Sequence, residues 1–126
     1  MKTLIAAAAA AILGSAAMAD DVLGTWQSEA SDTGAFIQVN MVPCGSSICG
    51  MITAVGGDGD QSIVGRQIIA GMASEGDGKY RGGTIWAPDE DKVYKSKMDL
   101  SGNALEVSGC VLGGLVCRGQ TWSRVN

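Results

Sequence analysis

Four cysteines, two carboxylate couplets and a cluster of arginine and tryptophan near the C-terminus are the parts of this 126-residue chain whose types and spacing could do chemistry. The cysteines stand at 44, 49, 110 and 117. The couplets are Asp58/Asp60 and Asp89/Asp91, and the cluster is Arg118, Gln120, Trp122 and Arg124. Histidine is absent. That removes a Ser-His-Asp triad, a Cys-His pair, a histidine-ligated zinc and an imidazole pH switch. Catalytic carboxylates need burial or a neighbour to separate their pKa values. These couplets lie in Gly-rich or Pro-started turns, where solvated acids are the default. Asp58-x-Asp60 echoes the start of a calcium loop, without the other ligands or the closing glutamate. The serines have no base in a motif context, and the glycine-rich segments lack the setting of a phosphate loop. The expectation is a non-enzyme with no cofactor and no metal.

The front of the chain reads as an address. Met1-Lys2 is followed by an apolar run from Leu4 to Leu13, then by Ala17-Met18-Ala19 before Asp20. A positive start, a short apolar core and a small-x-small site are the marks of a secretory signal peptide. The run is about half the roughly 20 residues a membrane span needs. No cysteine follows the cleavage site, which speaks against a lipid anchor. Residues 1–19 are therefore expected to be removed, leaving one domain over 20–126 in the periplasm or outside the cell, with no integral membrane segment. With Lys2 gone, 8 basic side chains face 13 acidic ones, a net of −5. That sign argues against nucleic acid and anionic membranes as partners. An even number of cysteines in an exported chain reads as two disulfides, with a knuckle-like metal site the weaker alternative.

The elements that must position these residues are short strands. Runs rich in Val, Ile, Thr and aromatics are split by Gly, Asp, Ser and Asn, without sustained helical periodicity. Strands are expected near 22–28, 35–43, 48–55, 79–86, 93–100, 104–110 and 117–125. Residues 56–66 read as a mobile loop, and 67–73 as an eighth strand or a short helix. Alternation then suggests register. Setting Cys44 opposite Cys49 pairs Met41 with Ile52 and Val39 with Ala54, on a common apolar face. Pairing Trp86 with Tyr94 places Thr84 against Ser96 inside and Arg81 against Asp99 outside. The Ser101-Gly102-Asn103 turn sets Leu100 against Leu105 and Met98 against Val107. Setting Cys110 opposite Cys117 pairs Val107 with Gln120 and Leu105 with Trp122. Arg118, Gln120, Trp122 and Arg124 then point inward. A buried arginine requires a carboxylate, an aromatic face, water or an anionic ligand. Two readings stay open: Arg118 anchors a ligand head group, or Arg118 and Arg124 stack on Trp26 or Trp122 and close the barrel.

Gly24-Thr25-Trp26 followed by a meander ending in an arginine-bearing strand resembles the lipocalin and fatty-acid-binding superfamily. A wider set of blocks spans nearly the whole mature chain. It comprises Pro43-Cys44-Gly45, Ile48-Cys49-Gly50, Gly82-Gly83-Thr84-Ile85, Pro88, Lys92-Val93-Tyr94, Val107-Ser108-Gly109-Cys110 and Gln120-Thr121-Trp122-Ser123-Arg124. With these the chain resembles the bacterial exported family called domain of unknown function 2147, whose members are described as lipocalin-like. The resemblance implies an exported small β-barrel with no established activity. It departs from the family's Asp-x-x-Asn-Pro segment, where Asp58-Gly59-Asp60-Gln61-Ser62 and a lone Arg66 stand.

The fold expected is all-β: a small up-and-down antiparallel barrel, lipocalin-like, of about eight strands with two hairpin disulfides. The function expected is a carrier for a small amphiphilic or anionic molecule in the barrel interior. Arg118, Gln120, Trp122, Tyr94 and Trp86 are its candidate contacts, and Trp26 and Arg124 the candidate closure. The alternative is a cell-envelope partner-binding or inhibitor protein with a filled interior. Its surfaces would be the 56–66 loop and the Trp86–Asp91 hairpin tip.

Overall fold

The computed structural model describes residues 21–126, so the leader expected over 1–19 lies outside the described residues. Eight antiparallel strands follow one another: β1 (Gly24–Gln27), β2 (Phe36–Cys44), β3 (Ser47–Gly56), β4 (Gln67–Gly76), β5 (Lys79–Ala87), β6 (Lys92–Ser101), β7 (Ala104–Val111) and β8 (Val116–Arg124). Each pairs with the next, and β1 returns to pair with β8, closing the barrel. Closure leaves no open sheet edge, and eight strands enclose room for side chains or one small ligand.

Segment 67–73 is a strand, and its pattern is irregular for a physical reason. Ile69 and Met72 are both fully buried although three residues apart. Strict alternation cannot place both inside. Gly71 between them has φ +69, which inserts the extra step of a bulge.

The first disulfide hairpin is tighter than expected. Cys44 opposes Ser47, and Cys49 opposes Val42, so the Cys44–Cys49 bond runs diagonally with the Cα atoms 5.6 Å apart. The two-residue turn is Gly45-Ser46, with Gly45 at φ +66. Met41 consequently faces Gly50, and Val39 faces Ile52. A displacement of two residues leaves every side chain on its own face, so Val39, Met41 and Ile52 remain core residues.

The β5–β6 hairpin differs by one residue, and one residue matters. Tyr94 opposes Ile85 rather than Trp86, whose partner is Val93. Two local features set this register: the turn with Asp91 at φ +52, and a bulge between Tyr80 and Gly83 containing Gly82 at φ +83. The expected Arg81–Asp99 ion pair forms at 3.0 Å even so. Downstream, the pairs Leu100–Leu105, Met98–Val107, Leu105–Trp122, Val107–Gln120 and Cys110–Cys117 are those that the alternation suggested. Both hairpin disulfides are present, which removes the cysteines as metal ligands and points to an oxidising compartment outside the cytoplasm.

The core fills one end of the barrel. Val22, Trp26, Val39, Met41, Ile52, Ile69, Met72, Met98 and Leu105 are all essentially inaccessible. Trp26 is the plug: its Nε1–H donates to the Val22 carbonyl at 2.8 Å. The Arg124 guanidinium lies 4.4 Å from the Trp26 ring centroid and donates to the carbonyls of Leu23 (3.1 Å) and Asp21 (2.6 Å). Arg124 thus ties the entering chain to the last strand.

Candidate functional site

The other end of the barrel is open. A cavity of about 880 Å³ runs inward from the segments joining β1 to β2, β3 to β4, β5 to β6 and β7 to β8. Its deep wall is apolar, with Ile37, Val55, Ile68, Ile85, Val107 and Trp122. Gly109 helps to make the space: a Cβ built there would stand 3.3 Å from Ile85 Cγ2 and 3.6 Å from Tyr94 Cβ. The volume falls within the range of small-molecule pockets.

All five candidate contacts line this cavity, in different settings. Trp122 is buried at the floor, and its indole N–H donates to Gln120 Oε1 at 2.8 Å. Gln120 and Arg118 are exposed at the wall and mouth. Tyr94 is half-buried, and its hydroxyl donates to the Glu90 carboxylate. That bond, which needs the phenol proton, is the main reason the Tyr94 pKa is raised above 10.0, with the Arg118 charge opposing the shift. Trp86 lines the rim, and the one-residue register difference turns it to the opposite face from Tyr94. Its ring carries the Arg66 guanidinium 4.1 Å from the centroid, and its N–H donates to Asp91 at 2.9 Å.

The mouth also holds acids that the alternation could not reveal. Glu29, in the segment between β1 and β2, accepts a hydrogen bond at 2.6 Å from the Thr121 backbone N–H, 92 residues away. Glu90 and Asp89 come from the β5–β6 turn, and Asp60 from the segment between β3 and β4. Asp60 caps a 3-10 turn over Gln61–Ile63, accepting from the Ser62 N–H (2.9 Å) and hydroxyl (2.6 Å). The hydroxyl bond and then the backbone bond hold its carboxyl below the ordinary value. The 56–66 segment, expected as a loop, thus contains a hydrogen-bonded turn. Gln61 donates to the Val55 carbonyl at 2.8 Å, Gly65 N–H to that of Ile52 at 2.8 Å, and Ile63 packs on the core. Phe36 also lines the cavity. The Phe36 ring lies over its cross-strand partner Gly56, where a Cβ would collide with it.

Comparison with known proteins fits this architecture. The family model described as "Uncharacterized protein conserved in bacteria (DUF2147)" matches residues 24–124. No curated protein matches the sequence. Among solved structures, a protein of the human pathogen Helicobacter pylori, described as belonging to the lipocalin family, superposes with a TM-score of 0.71. It is 14% identical, with 84% of each chain covered, a level that speaks for the fold alone. The chain belongs to the bacterial DUF2147 family, built as a lipocalin-like eight-stranded barrel.

Proposed function

We propose that the protein is an exported, non-catalytic carrier that holds one small amphiphile in the open end of its barrel. The observation that carries this reading is the cavity of about 880 Å³, apolar in its depth and polar at its mouth. An apolar body on Ile85, Val107 and Trp122 would lose water contact, while a polar head would remain among Arg118, Gln120 and Tyr94. The mouth sets Glu29, Asp60, Asp89 and Glu90 against Arg118. That balance favours an amphiphile held by its apolar part over a bare anion held by charge. The oxidised cysteines support residence in the periplasm or outside the cell. A partner-binding protein with a filled barrel is less well supported, since its interior would be packed through to both ends.

The test is a titration of the oxidised protein with N-phenyl-1-naphthylamine, a neutral probe that brightens on leaving water. We expect saturable brightening, with affinity about tenfold or more weaker in Ile85→Trp, whose larger ring occupies the cavity. Far-UV circular dichroism and the denaturation midpoint check that this variant is folded. Arg118→Ala, at an exposed position, tests the same cavity without added bulk and should mainly change preference among head groups. A linear, unsaturable response, or full affinity in a folded Ile85→Trp, would refute the carrier reading.

A further inference from the structure

The β7–β8 hairpin ends in an apolar tip. Between Cys110 and Cys117 stand Val111, Leu112, Gly113, Gly114, Leu115 and Val116, with no charged or polar side chain. Leu112 and Leu115 are 71% and 86% exposed, and Val111 and Val116 42% and 53%. Single exposed hydrophobics are ordinary, but four on one six-residue tip mark a surface that meets something. The tip is held projecting. Leu112, Gly113 and Gly114 have φ of +55, +68 and +96, and the Leu115 N–H closes the turn on the Leu112 carbonyl at 3.2 Å. Val111 opposes Val116, and the Cys110–Cys117 disulfide clamps the base. Val111 and Val116 also line the cavity, so apolar surface continues from the tip into the barrel.

We propose that this clamped tip is a lipid-docking element, through which the cavity exchanges its occupant with a bilayer. The exchange rests on the carrier reading above, whereas the docking does not. Three observations select a lipid surface over a protein. Four exposed aliphatic residues are far fewer than the roughly 20–30 that each partner of a standard protein complex contributes. Apart from two glycines the tip is Val and Leu, without the Trp, Tyr or Arg anchors that dominate protein hot spots. A fluid acyl layer closes around a projecting tip, while a protein would need a matching pocket. A second copy meeting mouth to mouth would set the acids Glu29, Asp60, Asp89 and Glu90 against their own kind. The same acids select the lipid: zwitterionic headgroups rather than anionic ones.

The test is flotation of the oxidised protein with phosphatidylcholine vesicles, and with vesicles containing added phosphatidylglycerol. Wild-type protein is expected to float with phosphatidylcholine. Leu112→Ser/Leu115→Ser should bind about tenfold or more weakly, while its affinity for N-phenyl-1-naphthylamine in solution stays within about twofold, because neither leucine lines the cavity. Added phosphatidylglycerol should weaken binding at low salt, and salt should restore it. Probe transfer from wild type should speed up with vesicle concentration, and from the double variant should not. Absence of flotation at either composition would overturn the proposal and leave the tip to a protein partner; so would equal flotation of the double variant. Probe binding without flotation would overturn docking and spare the carrier reading. Tip-dependent flotation without probe binding would uphold docking and overturn the carrier reading.

Discussion

Removing the Arg124 side chain should cost the barrel about 3 kcal/mol, in spite of its position two residues from the C-terminus. The guanidinium stacks on Trp26, which is wholly buried, and a desolvated cation–π contact contributes up to about 2 kcal/mol. It also donates to the Leu23 and Asp21 carbonyls. Hydrogen bonds from a charged group are each worth about 1.5 kcal/mol or more, but Asp21 is exposed, so only the Leu23 bond is counted in full. For a domain on the order of 100 residues, 3 kcal/mol corresponds to a fall of roughly 13 °C in Tm. Arg124→Lys keeps the charge but cannot cover the ring and reach both carbonyls, so it should recover less than half of the loss. The control is Arg66→Ala. Arg66 lies closer to its ring, 4.1 Å from the Trp86 centroid, yet Arg66 is exposed and Trp86 only half-buried. Solvent should hold that pair to about 0.5–1 kcal/mol. Urea denaturation of the oxidised proteins, read as a shift in midpoint at constant slope, measures both. Arg124→Ala within about 0.5 kcal/mol of wild type, or equal losses at the two sites, would refute the argument that burial rather than distance sets the strength of the pair.

Other consequences can be checked with small variant sets. Reducing both disulfides should lower the melting temperature without unfolding the barrel, since each closes a short loop worth about 2 kcal/mol; loss of β-sheet signal on reduction at 25 °C would contradict this. Gly50→Ala should destabilise by about 1–3 kcal/mol through overpacking, because its Cβ would stand 2.9 Å from Val39 Cγ1 and 3.0 Å from Ile69 Cβ; a neutral midpoint would show a slacker core. The neutral Tyr94 phenol is favoured in the fold, so its contribution is complete below pH 10 and fades as pH rises through its raised folded pKa. Absorbance titration, with Tyr94→Phe assigning the signal, should show this ionisation moving down in Glu90→Gln; an unchanged Tyr94 midpoint would remove Glu90 as the cause.

Legibility followed face parity. Pairing Leu100 with Leu105, Met98 with Val107 and Leu105 with Trp122 needed only unbroken alternation, and the β6–β7–β8 meander keeps it. The Cys44–Cys49 hairpin was displaced by two residues, which costs nothing in facing, so its core residues were still readable. Glycine bulges hid the rest. Gly71 let Ile69 and Met72 share a face, which blurred strand with helix, and Gly82 with the Asp91 turn moved Tyr94 opposite Ile85 instead of Trp86. The register of β8, with Trp122 opposite Leu105 and Gln120 opposite Val107, follows from the alternation. Glu29 reaches Thr121 across 92 residues, a closeness made only by β1 closing on β8. The Val111–Val116 tip did leave a signal, an apolar run bracketed by cysteines, but local pattern does not tell an outward turn from a buried one.

The central claim is that the open barrel end holds a small molecule, and native mass spectrometry of the protein isolated from its own host tests it most directly. A denatured spectrum in parallel fixes the starting residue and the mass deficit of the two disulfides. The account predicts a discrete low-mass adduct on the folded wild type, diminished in Ile85→Trp. A bare folded protein under gentle ionisation, or an adduct that persists undiminished with the cavity filled, would contradict it.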